Sequence, residues 1–247
     1  MDEPKRKSFL DILRKNLSLA DRLAFITRFV YIGECRGSTS DLQKVRTYED
    51  DKFRENVKEI KAEYGEDALT GILLVYPRNF IHLVEATEEI IYRHLKGVLG
   101  KQSEKLIGRV IPLPANHNIF KLYFIDWHVV QIRNPPWLLD KIETIELEEI
   151  QRQIKNCLSK MYLLSEYLLN ERDASREKTI DALTTISRVK PYYLPEVTIV
   201  EYLLSIKTPV LEDLRNYINK FDAVPSINFY NEYLQYIKTT VLSYVRR

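Results

Sequence analysis

The chain has 247 residues, enough for one large domain or two modest ones. Its 37 Lys+Arg against 35 Asp+Glu leave a formal charge of only +2, so no global field demands nucleic acid or a membrane. Hydrophobic residues at 45%, charged residues at 29%, and only 7 Gly and 10 Pro exclude long disorder and collagen-like or linker-dominated architecture.

Residues 1–21 form a basic amphipathic arm, in which Phe9, Leu10, Ile12 and Leu13 stand among Lys5, Arg6, Lys7, Arg14 and Lys15. Such a helix either packs on the body with its charged face in solvent or docks on an acidic surface, such as a membrane or a tubulin lattice. Residues 23–35 (LAFITRFVYIGEC) are rich in β-branched and aromatic side chains and predict a strand closed by Gly33. Phe53, Val57, Ile60 and Tyr64 then recur at helical spacing up to Gly65, with Glu49-Asp50-Asp51 as a solvated helix start. Strand-like runs at 69–76 and 80–85 flank Pro77-Arg78-Asn79, which is hairpin chemistry and makes them antiparallel neighbours.

Thr87 caps the next helix, Glu88 and Glu89 suit its N-terminus, and Ile90, Ile91, His94, Leu95 and Val98 form its buried stripe. Runs at 106–113 and 121–132, joined by a turn around Pro114, Asn116 and Asn118, predict two more strands. Residues 22–133 therefore follow the order β-α-β-β-α-β-β, which folds most simply as a ferredoxin-like sheet with both helices on one face. Arg133-Asn134-Pro135-Pro136 breaks the pattern, and residues 134–247 form a helical C-terminal region, so the class is α+β.

In that region Leu147, Ile150, Ile154, Cys157, Leu158, Met161, Leu164 and Leu168 alternate spacings of three and four. A polar break at Asp173–Lys178 precedes helices expected near 195–206, 209–221 and 227–244. Helices this short do not fold alone, so they pack as a small bundle or onto the first domain.

Catalytic patterns are missing. There is no phosphate loop, dinucleotide fingerprint, nucleophile elbow or H-E-x-x-H pair. His82, His94, His117 and His128 are far apart in sequence and have no ligands at metal spacing, so no metal site is expected. Cys35 and Cys157 are too few for a disulfide framework, and each is expected as a structural thiol. The charged amino terminus is unlike a signal peptide, and no apolar run approaches the ~20 residues of a membrane span. A reduced, cytoplasmic, non-enzymatic protein is expected. The 16 tyrosines suit surfaces that a partner covers.

The stretches Leu69-Thr70-Gly71-Ile72-Leu73-Leu74-Val75-Tyr76 and Phe80-Ile81-His82-Leu83-Val84-Glu85 resemble the core strands of BLUF domains, the flavin-binding blue-light sensors. Arg28-Phe29-Val30-Tyr31 looks like their first strand with its tyrosine, and Phe124-Ile125-Asp126-Trp127-His128-Val129 like their last. The segments L-T-G-I-L-L-V-Y-P, I-H-L-V-E-A, D-W-H-V, K-M-Y-L-L-S-E-Y-L and L-P-E together resemble the testis-expressed protein 47 family, which carries a BLUF-like domain and a helical tail.

The BLUF resemblance implies a flavin held between two helices by a tyrosine, a glutamine and an asparagine. Tyr31 fits the tyrosine, but His82 stands in the glutamine position, where an imidazole cannot perform the amide's donor–acceptor exchange. Ungapped counting puts the asparagine near Tyr64, with Asn56 more than a helical turn too early, and Ala86 replaces a glycine. Tyr31, Tyr64, His82 and Trp127 are then vestigial flavin-pocket positions, with Tyr64 and His82 filling the space of the ring. No flavin cofactor is expected. The family implies a non-catalytic subunit of the motile cilium or sperm flagellum axoneme, its partners the complexes on doublet microtubules. The alternative is a flavin-binding light or redox sensor, using FAD or FMN, with the tail as its output element.

Overall fold

The computed structural model describes residues 8–19, 25–36, 42–100, 103, 106–139, 142, 144–174 and 176–222. Helix α1 (Phe9–Leu19) precedes strand β1 (Ile26–Cys35), helix α2 (Leu42–Tyr64), strands β2 (Thr70–Val75) and β3 (Asn79–Ala86), and helix α3 (Glu88–Val98). Strands β4 (Ile107–Pro112), β5 (Asn116–Ile119) and β6 (Trp127–Gln131) complete the sheet. Helices α4 (Leu147–Ala174), α5 (Arg176–Val189), α6 (Val197–Ser205) and α7 (Leu214–Asp222) follow, with 3-10 turns at Pro191–Tyr193 and Pro209–Leu211. The helix expected over 227–244 and residues 1–7 and 20–21 of the basic arm lie outside the described residues.

One mixed sheet runs β4-β1-β3-β2-β6, with β5 beside β1. Its first four strands pair antiparallel in the ferredoxin-like order, and β6 adds parallel to β2. Every residue of β2 and β3 is buried, which explains why these strands read as continuous apolar runs and not as alternating ones. Gly71 has a reason to be glycine: at φ +144° its backbone passes so close to β3 that a Cβ would sit 2.1 Å from the Leu83 carbonyl oxygen.

Successive side chains leave the sheet on opposite faces. On the front, Tyr31, Leu73, Val75, Phe80 and Val84 meet Phe53, Val57 and Ile60 of α2 and Ile91, Leu95 and Val98 of α3. On the back, Val30, Ile32, Ile72, Leu74, Ile81 and Leu83 meet Ile154, Cys157, Met161 and Leu164 of α4 and Val200 and Leu203 of α6. Helices α4, α5 and α6 thus form a third layer on the back of the sheet, the second of the two packings that their length allowed, while α7 sends Leu214 and Ile218 into the front core beside α3. Arg109 of β4 fastens them by donating to the carbonyls of Leu204, Ile206 and Leu211. Arg215 of α7 donates to those of Ile107 and Gly108.

Local signals explain the element ends. The Thr87 hydroxyl accepts from Ile90 N, and the expected stripe Ile90, Ile91, His94, Leu95 and Val98 is the buried face of α3. Gly65, at φ +105°, ends α2. Several expectations change. Helix α2 begins at Leu42, so Glu49-Asp50-Asp51 lies inside it and not at its start. The polar break at 173–178 is only a joint, because α5 begins at Arg176. Residues 121–126 are not strand: β6 starts at Trp127, Phe124 is buried in the preceding loop, and the expected turn contributes β5. Gly33 lies within β1, where a Cβ would strike the Phe80 ring.

Candidate functional site

Five elements each send one polar side chain to the centre of the front face: Tyr31 from β1, Asn56 from α2, His82 from β3, His94 from α3 and Trp127 from β6. Antiparallel register puts Tyr31 directly opposite His82. Tyr31, His82 and His94 are fully buried, and Asn56 and Trp127 nearly so.

These side chains bond in series. Trp127 Nε1 donates to His82 Nε2 at 2.8 Å. His82 Nδ1 lies 2.7 Å from the Tyr31 hydroxyl, which lies 2.9 Å from His94 Nε2. His94 Nδ1 lies 2.6 Å from Asn56 Oδ1. An indole N–H only donates, so His82 Nε2 is an acceptor and its proton sits on Nδ1. The Tyr31 hydroxyl therefore accepts from His82 and donates to His94 Nε2, and His94 Nδ1–H donates to the Asn56 carbonyl oxygen. One donor-only end orients the whole chain of four hydrogen bonds.

Electrostatics agree with that assignment. Burial lowers the His82 pKa well below the ordinary imidazole value, with a smaller contribution from His94, whose ring centroid is 5.0 Å away. Burial alone lowers His94 to about 3. The Tyr31 phenol is pushed up, again by burial. All three groups are neutral at physiological pH. Phe53 packs edge-on against both Phe80 and His82 with ring centroids 5.4 Å apart, sealing the cluster under α2.

Tyr31, His82 and Trp127, expected at this position, come together. Tyr64 does not: it is 40% exposed at the end of α2, where its hydroxyl accepts from Arg93 at 2.7 Å. The expectation that no helical asparagine faces the site is corrected by Asn56, two turns upstream. It lies on the buried face of α2, beside Phe53 and Ile60 at helical spacing. A polar residue on an apolar stripe was the available signal, and His94 in the α3 stripe carried the same one. His117 lies elsewhere, bonded to Thr27 and Glu88. Among the described residues no three His, Cys, Asp or Glu side chains gather as metal ligands.

Between α2 and α3, His94 already bridges to Asn56, and a Cβ on Gly97 of α3 would sit 2.1 Å from Asn56 Nδ2, so the two helices touch at this level. The buried side-chain atoms without partners among the described residues, on Thr70, Asn79, Glu196, Thr208 and Arg215, all lie outside the five-residue chain. Two surface clefts open elsewhere. One of about 290 Å³ is lined by Phe29, Ile91, Tyr92 and Tyr217, and one of about 670 Å³ by Arg28, His117, Lys121 and Glu166.

The fold is an α+β sandwich, a ferredoxin-like sheet with helices on both faces. Residues 25–223 match the family model described as testis-expressed protein 47, and the chain belongs to that family. Among solved structures it is similar to BlsA in its ground state, at 19% identity over 44% of this chain and 66% of that one, with a TM-score of 0.33. It is similar to a bacterial light-regulated adenylyl cyclase at 16% identity, over 57% of this chain and 36% of that one, TM-score 0.33. The BLUF domain of Klebsiella pneumoniae BlrP1 matches at 16% identity over 44% of this chain and 66% of that one, TM-score 0.28. The matched part thus spans 66% or less of each of these proteins. No described helix is long and apolar enough to cross a membrane.

Proposed function

We propose that this chain is a non-catalytic structural and interaction subunit of the motile cilium or sperm flagellum axoneme. It is built on a BLUF-like domain that has lost flavin photochemistry. The observation that carries the proposal is the closed series Trp127–His82–Tyr31–His94–Asn56, in which the five polar side chains at the centre of the front face bond to one another. A site prepared for chemistry keeps a polar group free for its ligand, whereas a self-satisfied chain supplies shape. Membership of a testis-expressed family supports the flagellar setting. The partners are proteins of the complexes on doublet microtubules, with no nucleic acid. The exposed Trp137, Leu139 and Ile145, between the sheet and α4, offer apolar surface for them.

Detergent extraction of sperm flagella tests this directly. The protein remains with the demembranated axoneme and leaves only with salt or chaotrope; release with the soluble matrix overturns the assignment.

A flavin-binding light or redox sensor with a helical output region is the alternative, favoured by one observation: Tyr31 and Asn56 do converge with the residue in the glutamine position. A purified protein that is yellow as isolated would establish that alternative.

A further inference from the structure

We propose that α1 is a docking helix for an anionic lipid surface, lying in the head-group boundary with its apolar half inward. The proposal is independent of the axonemal assignment.

The helix carries its own start signal. Ser8 and Asp11 form a reciprocal cap: Asp11 N donates to Ser8 Oγ at 3.1 Å, and Ser8 N donates to the Asp11 carboxylate at 2.9 Å. The single acid of α1 is therefore engaged at the positive end of the helix. Yet four of its six apolar residues lie open: Phe9 is 73%, Leu10 48%, Ile12 46% and Leu19 75% exposed, with Leu13 and Leu17 half-buried between them.

At 3.6 residues per turn, Leu19, Ile12, Phe9, Leu13, Leu17 and Leu10 follow one another around about half of the circumference, interrupted only by Asn16. A stripe that wide, on a helix with one acid and two bases, has the large apolar face of helices that lie in a membrane interface. Lys15 and Arg14 flank this arc, one at each edge, where their stems lie along apolar surface and their charges reach head groups. Lys5, Arg6 and Lys7 stand just before it in the sequence. Apolar arc and basic edges together match a surface that is greasy below and anionic above. An anionic bilayer has that chemistry.

Co-sedimentation of the full-length protein with vesicles tests the proposal. The protein pellets with phosphatidylcholine–phosphatidylserine vesicles, less so at high salt, and much less with phosphatidylcholine alone. Arg14→Gln with Lys15→Gln lowers partitioning roughly 25-fold, about fivefold per basic residue. Phe9→Asp with Ile12→Asp abolishes it. All four side chains face solvent, so these variants keep the parent's unfolding midpoint in urea. The proposal is overturned if the parent pellets no better with anionic than with neutral vesicles, or if the α1 variants bind as the parent does. Crosslinking of α1 to a flagellar protein, without vesicle binding, likewise overturns it and assigns the face to a protein groove.

Discussion

Along β3 the side chains of Ile81 and Leu83 leave one face of the sheet, and those of Phe80, His82 and Val84 the other. On the back they enter a layer of aliphatic side chains, Cys157 and Met161, under α4 and α6. The Cys157 thiol there is pushed up to about 12, mainly by burial, which makes it an inert filler. A buried ion pair of that face, Arg28 with Glu85, sits at its margin, with the Arg28 guanidinium 3.7 Å from the Tyr123 ring centroid. The front places two imidazoles, a phenol, an amide and an indole at its centre, all uncharged and bonded in a fixed direction. The back, where the buried Tyr76 hydroxyl makes a single bond to a backbone carbonyl, shows that this sheet can be covered by mainly apolar packing. The polar centre of the front is therefore a property of that face and not a requirement of the fold.

The largest expected effect falls on the back margin. Glu85 accepts from Arg28 and from the backbone N–H groups of Tyr123 and Phe124. Glu85→Ala leaves a buried guanidinium without its counter-ion, bonded only to the Lys121 carbonyl, and costs about 3–5 kcal/mol in urea unfolding. A loss under 1 kcal/mol would show that the pair is not buried as described.

Next come the two central tyrosines. Tyr31→Phe strips the acceptor from His82 and the donor from His94 together, and costs about 2–4 kcal/mol. Tyr76→Phe on the back removes only the bond to the Pro195 carbonyl, 3.0 Å away, and costs about 1 kcal/mol. Equal losses would erase the distinction between the faces.

Acid sharpens the comparison further. His82 and His94 titrate lower in the folded chain than in the unfolded one, so the unfolded state takes up protons first as pH falls. Their contribution is complete above pH ~6.5 and declines below it by about 1.4 kcal/mol per pH unit for each histidine, continuing for His94 toward about 3. His82→Gln, whose amide can accept from Trp127 and donate to Tyr31, keeps the chain of bonds and removes one of the two slopes. Unfolding curves of parent and variant between pH 7 and 5 check this, and parallel curves would contradict it.

Sheet order, the hairpin at Pro77-Arg78-Asn79 and the α3 stripe were legible in the sequence because each is a local pattern of period or turn chemistry. Helix α5 was not, because its charged first turn resembles a loop until Ala182 and Ile186 are buried against the rest of the back core. Tyr31, His82 and Trp127 were legible through their strands. Asn56 was not, because counting along one helix without a partner cannot fix which turn faces the sheet. His94 is what selects it, and that contact spans 38 residues. Tyr64 illustrates the converse: helical spacing put it on the apolar stripe, but the last turn of α2 extends past the sheet into solvent.

The central claim is that the front face is closed by its own side chains. Titration of the purified, folded protein with FMN and FAD, followed by flavin fluorescence and by blue absorbance of the protein after desalting, tests it most directly. A colourless protein that leaves added flavin free is the predicted result. Stoichiometric retention of flavin, with the Trp127–His82–Tyr31–His94–Asn56 series opened to admit it, would contradict the claim.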